Sequence, residues 1–154
     1  MARSAMSFSV RTAGPGDLEP LLPLVRELWK HEALHWHETG TPAALARLLG
    51  DASLGRVWIG ELDGAAIGYL VLCFGFSLEY LGRDAFVDEL YVEPALQGRG
   101  LGLQLLAVAE AVCAELGIAA LHLEVDHVNP RAKALYARAG FREHARHLMT
   151  KALR

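Results

Sequence analysis

The sequence predicts a mixed α/β domain, in which helices cover the faces of a β-sheet. Three observations carry that expectation. The runs "RVWIGEL" and "AAIGYLVLCFGF" are apolar and strand-like, and Asp-Gly joins them, a dipeptide that tolerates the positive φ angles of a tight hairpin. Next, "QGRGLG" links the strand-like "AFVDELYV" to a long helical pattern. Finally, "NPRAKALYARAGF" opens with Asn-Pro, a helix-start pair, and closes on Gly140, a helix-stop residue.

The elements follow in order. "FSVRTA", residues 8–13, alternates as a short strand, and "GPGD" turns it into a leucine-rich helix beginning near Asp17. On that helix Leu24, Leu28, His31 and His35 recur at steps of four, three and four, so the histidines extend its apolar stripe. After "ETGTP" a short helix runs from Pro42 to Leu49 and stops at Gly50. The Asp-Gly hairpin comes next, then the strand at 85–92, then a helix through Leu116 that Gly117 ends, with Leu101, Leu105, Val108 and Val112 at core spacing. "ALHLEV" from Ala120 is a fifth strand, the Asn-Pro helix follows, and the tail "RHLMTKAL" adds a last strand.

With 154 residues, 53% of them hydrophobic, the chain fits a single domain spanning 1–154 with one continuous core. A formal net charge of -3 argues against a nucleic-acid binder, which needs a basic face to neutralise phosphates, and points to a small-molecule partner. Cys73 and Cys113 lie within apolar patterns and read as reduced, buried thiols of a cytoplasmic protein. "MARSAMSFSV" lacks the apolar stretch of an export signal, and the longest apolar run, from Ala65, is too short to span a bilayer, so no membrane association is expected.

Glycines in "QGRGLG" stand where backbone N–H groups and a helix dipole favour phosphate. Gly100 and Gly102 are two apart, too close for the dinucleotide fingerprint, and no Gly-Lys-Ser/Thr follows for a nucleoside triphosphate. Read alone, the glycines fit a phosphate cradle and a plain turn equally well. The motif has the Gln/Arg-x-x-Gly-x-Gly/Ala form, follows "LYV", and precedes "NPRAKALYARAGF" in the same order and on the same elements as in the GNAT superfamily of acetyl-CoA-dependent N-acetyltransferases, which this sequence therefore resembles. "SLEYLGRDAFVDELYV" resembles, more weakly, the spermidine/spermine (diamine) acetyltransferase branch.

The resemblance implies a mixed, mostly antiparallel central sheet of about six to seven strands flanked by about four helices, and acetyl-CoA as acetyl donor. It implies that the backbone of Leu90, Tyr91 and Val92 holds the pantetheine arm and thioester carbonyl. It further implies that the loop Gln97, Gly98, Arg99, Gly100, Leu101 and Gly102 wraps the diphosphate, with Arg99 able to add a charge-assisted contact. Asn129 and Tyr136 match the asparagine and tyrosine of the family's last helix, and their spacing of seven, close to two turns, points both the same way. A homodimer is compatible with the resemblance.

An alkylammonium, with a pKa of ~10.4, has no lone pair at neutral pH, so acyl transfer to it requires a base. Asp88 and Glu89 precede the thioester-binding positions. Neighbouring strand residues face opposite sides, so at most one of the two faces the amine unless a bulge intervenes; the resemblance to the diamine acetyltransferases implies an acidic pair near the substrate here, and Glu89 is preferred with Asp88 close behind. Strand N–H groups would stabilise the oxyanion, and Tyr136 would protonate the leaving thiolate. Glu79 is a candidate wall of the amine pocket. Without the resemblance each of these has a plainer reading: Asn129 as an N-cap, Tyr136 as core, the acids as a solvated edge.

"HEALH", residues 31–35, matches the helical His-Glu-x-x-His pattern of zinc hydrolases. "WHETGTP" after it lacks the spaced third histidine of the extended motif, and a peptidase would leave the glycine loop and Asn-Pro helix without a task. No metal is expected; His31, His35 and Trp36 are instead candidate walls of the acceptor site. The expectation is direct acetyl transfer to a primary amine, a small cationic one, in a ternary complex. The alternatives are a protein lysine or N-terminal acetyltransferase, a non-catalytic acyl-CoA-binding module, and the zinc hydrolase.

Overall fold

The computed structural model describes residues 6–154, so the first five residues of the N-terminal segment read above as carrying no export signal lie outside the described residues. The chain divides into two compact units, residues 1–124 and 125–154.

The first unit holds one five-stranded sheet in the order β1-β2-β3-β4-β5. The strands are β1 (Phe8–Thr12), β2 (Gly55–Leu62), β3 (Ala65–Ser77), β4 (Gly82–Val92) and β5 (Ala120–Leu123). The first three pairings are antiparallel and β4 pairs β5 in parallel, giving the mixed, mostly antiparallel sheet. Asp63 (φ 50°) and Gly64 (φ 83°) form the expected hairpin turn between β2 and β3. The sheet has fewer strands than the six to seven expected. "RHLMTKAL" forms no strand, and its Leu148, Met149 and Leu153 are exposed, so apolar composition alone did not give it a ladder partner.

Helices α1 (Leu18–His31) and α2 (Gly40–Gly50) cover one face. Leu21, Leu24, Val25 and Leu28 of α1 and Leu45 and Leu49 of α2 pack with Val57, Ile59, Tyr69, Val71 and Tyr91 of the sheet. Alternate strand residues Trp58, Leu70, Leu72 and Val87 are buried on the opposite side. There α3 (Leu101–Glu115) packs on β2, β3 and β4 through Leu101, Leu105, Leu106, Ala109 and Cys113. Val108 and Val112, expected in that stripe, are only half-buried at its margin.

The α1 C-terminus corrects one expectation. The helix stops at His31, Ala33 takes a left-handed φ of 55°, and the amides of Ala33 and Leu34 bond back to the carbonyls of Lys30 and Trp29. His31 and His35 therefore do not share a helical face. The buried stripe ends at Leu28, and a further turn would place exposed Leu34 and His35 over no core.

The second unit contains α4 (Pro130–Arg138). The Asn129 side chain accepts the Ala132 N–H at 3.1 Å, the predicted N-cap. At the other end Gly140 has φ 94° and the Phe141 N–H bonds to the Tyr136 carbonyl at 3.0 Å. Half-buried Tyr136 packs edge-on against the Phe141 ring at 6.0 Å, and Lys133 pairs with Glu143 at 2.8 Å. No helix among the described residues is long and apolar enough to cross a membrane.

Candidate active site

The site in the first unit begins with an irregularity in β4. Consecutive residues Val71 and Leu72 of β3 pair with Glu89 and Val87, leaving Asp88 as the extra, unpaired residue of a β-bulge. A bulge resets side-chain alternation. Val87 falls opposite Leu72 on the α3 side, whereas Glu89 falls opposite Val71 on the side covered by α1. Asp88 alternates with α3-facing Val87 and so falls on the side of Glu89, where the charges of both acids bear on the Cys73 thiol; the two acids share a face instead of opposing one another.

Glu89 is half-buried and each of its oxygens has a donor. The Trp29 indole N–H of α1 donates to Oε1 and the Tyr69 hydroxyl of β3 donates to Oε2 at 2.8 Å. Burial pushes the Glu89 carboxyl above its usual range, and the two hydrogen bonds pull against that shift. Asp88 keeps solvent exposure, yet desolvation by the atoms crowded around it also raises its carboxyl. Burial, helped by the two acids, pushes the Cys73 thiol up to about 11, so it stays a neutral thiol. Tyr69 is fully buried and is raised further, first by desolvation and then by Glu89. Trp29, Tyr69 and Cys73 were not singled out as site residues from the sequence. Only their spacing relative to the bulge reveals them, and the bulge has no sequence signature.

Beyond the bulge, β4 becomes one-sided. β5 pairs it only from Asp84 to Val87, so the main chain from Asp88 to Val92 has ladder bonds to β3 alone. That open edge runs through Leu90, Tyr91 and Val92 to the glycine loop, where the Gln97 side-chain amide donates to the Val92 carbonyl at 3.0 Å and ties loop to strand. Gly98 and Gly100 have φ of 80° and 79°, left-handed values that favour glycine. Gly100 is the N-cap of α3 and no side chain caps that helix, so its first N–H groups point outward. A Cβ at Gly100 or Gly102 would meet nothing within 4 Å, and Arg99 is exposed without an ion-pair partner among the described residues. An open strand edge, uncapped amides and a free guanidinium fit an extended amide-bearing arm that ends in a diphosphate.

The remaining expected residues lie apart from this line. His31 is exposed at the end of α1, and His35 meets His37 edge-on with ring centres 4.5 Å apart. Trp36 packs edge-on against Trp29 at 5.9 Å and lines a pocket of about 300 Å³ with Arg26, Trp29, Lys30, Leu34 and Glu38. Glu79 is exposed in the turn between β3 and β4. Among the described residues no three histidine, cysteine or carboxylate side chains converge to hold a metal ion.

Comparison with known proteins supplies the family. Residues 22–141 match the model of the acetyltransferase (GNAT) family. The chain is 29% identical over 140 residues to thialysine N-epsilon-acetyltransferase of Bos taurus, covering 85% of this chain and 82% of that protein. It is 28% identical over 142 residues to the L-methionine sulfoximine/L-methionine sulfone acetyltransferase of Pseudomonas paraeruginosa, covering 88% and 81%. Among solved structures, an integron cassette protein from the mobile metagenome of Cole Harbour Salt Marsh superposes with a TM-score of 0.84 at 36% identity, covering 94% and 90%. The aminoglycoside N-acetyltransferase AAC(6')-Iy in complex with CoA shares the fold, with a TM-score of 0.84 at 18% identity over 99% of both chains. The chain belongs to the GNAT family and is an acetyl-CoA-dependent N-acetyltransferase.

Proposed function

We propose that the protein, as one catalytic domain spanning residues 1–154, acetylates a primary amine on a small cationic molecule by direct transfer in a ternary complex. The observation that carries the reading is the bulge at Asp88, which gathers two carboxylates on one side of β4 just before its open edge. Relatives named for thialysine and for methionine sulfoximine support a small acceptor bearing an amino group. The acidic cluster favours a cation there. Two free cysteines fit a reaction in the cytoplasm.

Acetyl-CoA, when bound, supplies an acyl group activated as a thioester. The main chain of Leu90, Tyr91 and Val92 lies along the open edge and orients the pantetheine amides, and the amides of Gln97 to Gly102 with Arg99 hold the diphosphate. Asp88 and Glu89 draw in the ammonium and one of them takes its proton, leaving the nitrogen a lone pair. Tyr136 Oη gives a proton to the departing sulfur, an assignment resting on the motif match of the Asn-Pro helix, whose Asn129 also belongs to the cofactor set. Glu79, His31, His35 and Trp36 are proposed as acceptor walls.

A thiol-release screen of acetyl-CoA with diamines, amino acids, amino-sugars and lysine peptides tests this reading. Turnover of a small amine with peptides inert supports it; turnover of peptides alone makes the enzyme a protein acetyltransferase. Acetyl-CoA binding without thiol release from any amine would overturn the catalytic reading.

A further inference from the structure

We propose that Trp29 and Tyr69 are positioning residues that clamp Glu89 as a fixed anion, leaving Asp88 as the group that takes the proton from the acceptor ammonium. The inference rests on the acetyltransferase reading above and divides the labour between its two carboxylates. It also reverses the preference for Glu89 over Asp88 stated in the sequence analysis.

Three elements converge on one carboxylate. Trp29 comes from α1, Tyr69 from β3 and Glu89 from β4, and both Glu89 oxygens accept a hydrogen bond. An indole N–H only donates, so at this half-buried position it requires an acceptor, and a second donor on the other oxygen fixes the rotamer and favours the ionised form. Asp88 differs on every count. It is exposed, it is the unpaired residue of the bulge, and among the described residues no donor bonds to its carboxylate. An incoming ammonium therefore finds open lone pairs on Asp88 and a fixed negative charge beside it.

The proton step balances simply. An N–H bond of the ammonium breaks, an O–H bond forms on an Asp88 oxygen, and the electron pair stays on nitrogen for attack. Water takes the proton from Asp88 before the next turnover. The titratable groups facing Glu89 are Asp88 on its own strand, Glu32 at the end of α1, and Tyr69 and Cys73 on β3, while Tyr91 reaches the cluster through Tyr69. Burial first, and then the charges of Asp88 and Glu32, favour protonation of Glu89, and the two hydrogen-bond donors oppose them.

Tyr69→Phe and Trp29→Phe each delete one donor, and they are read in two ways. In the free protein, the side-chain carboxyl ¹³C resonance of Glu89, identified by its loss in Glu89→Gln, is expected to titrate at higher pH in both variants. In kinetics, kcat/KM falls roughly tenfold with its acidic limb moved to higher pH, acetyl-CoA affinity by calorimetry is unchanged, and Trp29→Gln, which keeps an N–H donor, moves the limb back. Asp88→Asn lowers kcat about a hundredfold or more. An unmoved resonance and limb in both phenylalanine variants, or wild-type turnover in Asp88→Asn, would overturn the proposal. The resonance reports the clamp without any acceptor, so a protein that acetylates nothing would defeat the transferase reading while leaving the clamp measurable.

Discussion

Tyr136 shows how much of a side chain's task is set by its neighbours. Its ring rests against Phe141 and its backbone carbonyl closes the helix end, so removing the hydroxyl alone leaves both contacts in place. Tyr136→Phe is accordingly expected to lower kcat about ten- to a hundredfold while acetyl-CoA affinity in calorimetry stays the same; unchanged kcat would end its role as acid. The helix that carries Asn129 and Tyr136 was legible in the sequence because its motif is local, and Asn129 does cap α4 as its position beside Pro130 implied. Trp29 and Tyr69 were not, because they reach Glu89 from 60 and 20 residues away. The histidines misled for a related reason. Spacing of four, three and four satisfies a helical stripe, but nothing local reports that the core beneath α1 ends at Leu28.

At the scale of elements, helix ends and strand irregularities decide what the site can hold. α1 is closed by Ala33 in a left-handed conformation that costs an L-residue ~1 kcal/mol and glycine almost nothing. Ala33→Gly should therefore stabilise the protein by about 0.5–1 kcal/mol in urea unfolding; a loss of stability would mean that the left-handed turn does not form. Gly68 has the opposite character. A Cβ there would lie 2.5 Å from the Tyr91 carbonyl oxygen, at the part of β4 whose far edge is open. Gly68→Ala is expected to cost ~1–3 kcal/mol and to weaken acetyl-CoA binding with it, since Tyr91 and Val92 must move; wild-type affinity would separate that edge from the cofactor. Turn glycines and the Asp-Gly hairpin could be read directly. The bulge at Asp88 could not, for it depends on how two strands of unequal length align.

For the whole molecule, the acid pair makes a pH signature. Burial of Glu89, and desolvation of Asp88 by the atoms crowded around it, raise their folded-state affinity for protons, so the native state binds more protons than the unfolded chain above the unfolded carboxylate range. Stability then falls as pH rises from about 4 through the raised values, and the full penalty persists above them. Asp88→Asn with Glu89→Gln removes that slope, so its unfolding free energy relative to wild type should increase from pH 4 to pH 8; a constant difference would place both acids in water. The α/β order was legible because periodicity and turn chemistry agree from β1 to α4. The expected last strand was not formed, since "RHLMTKAL" offers apolar residues but no pairing partner. The account as a whole depends on the open edge of β4 and the uncapped start of α3 acting together. A crystal structure with bound CoA tests this most directly. Diphosphate oxygens are expected within hydrogen-bonding distance of the amides between Gly98 and Gly102, and pantetheine amides paired to the main chain of Leu90 to Val92; CoA lodged elsewhere, with that loop untouched, would contradict this cofactor site.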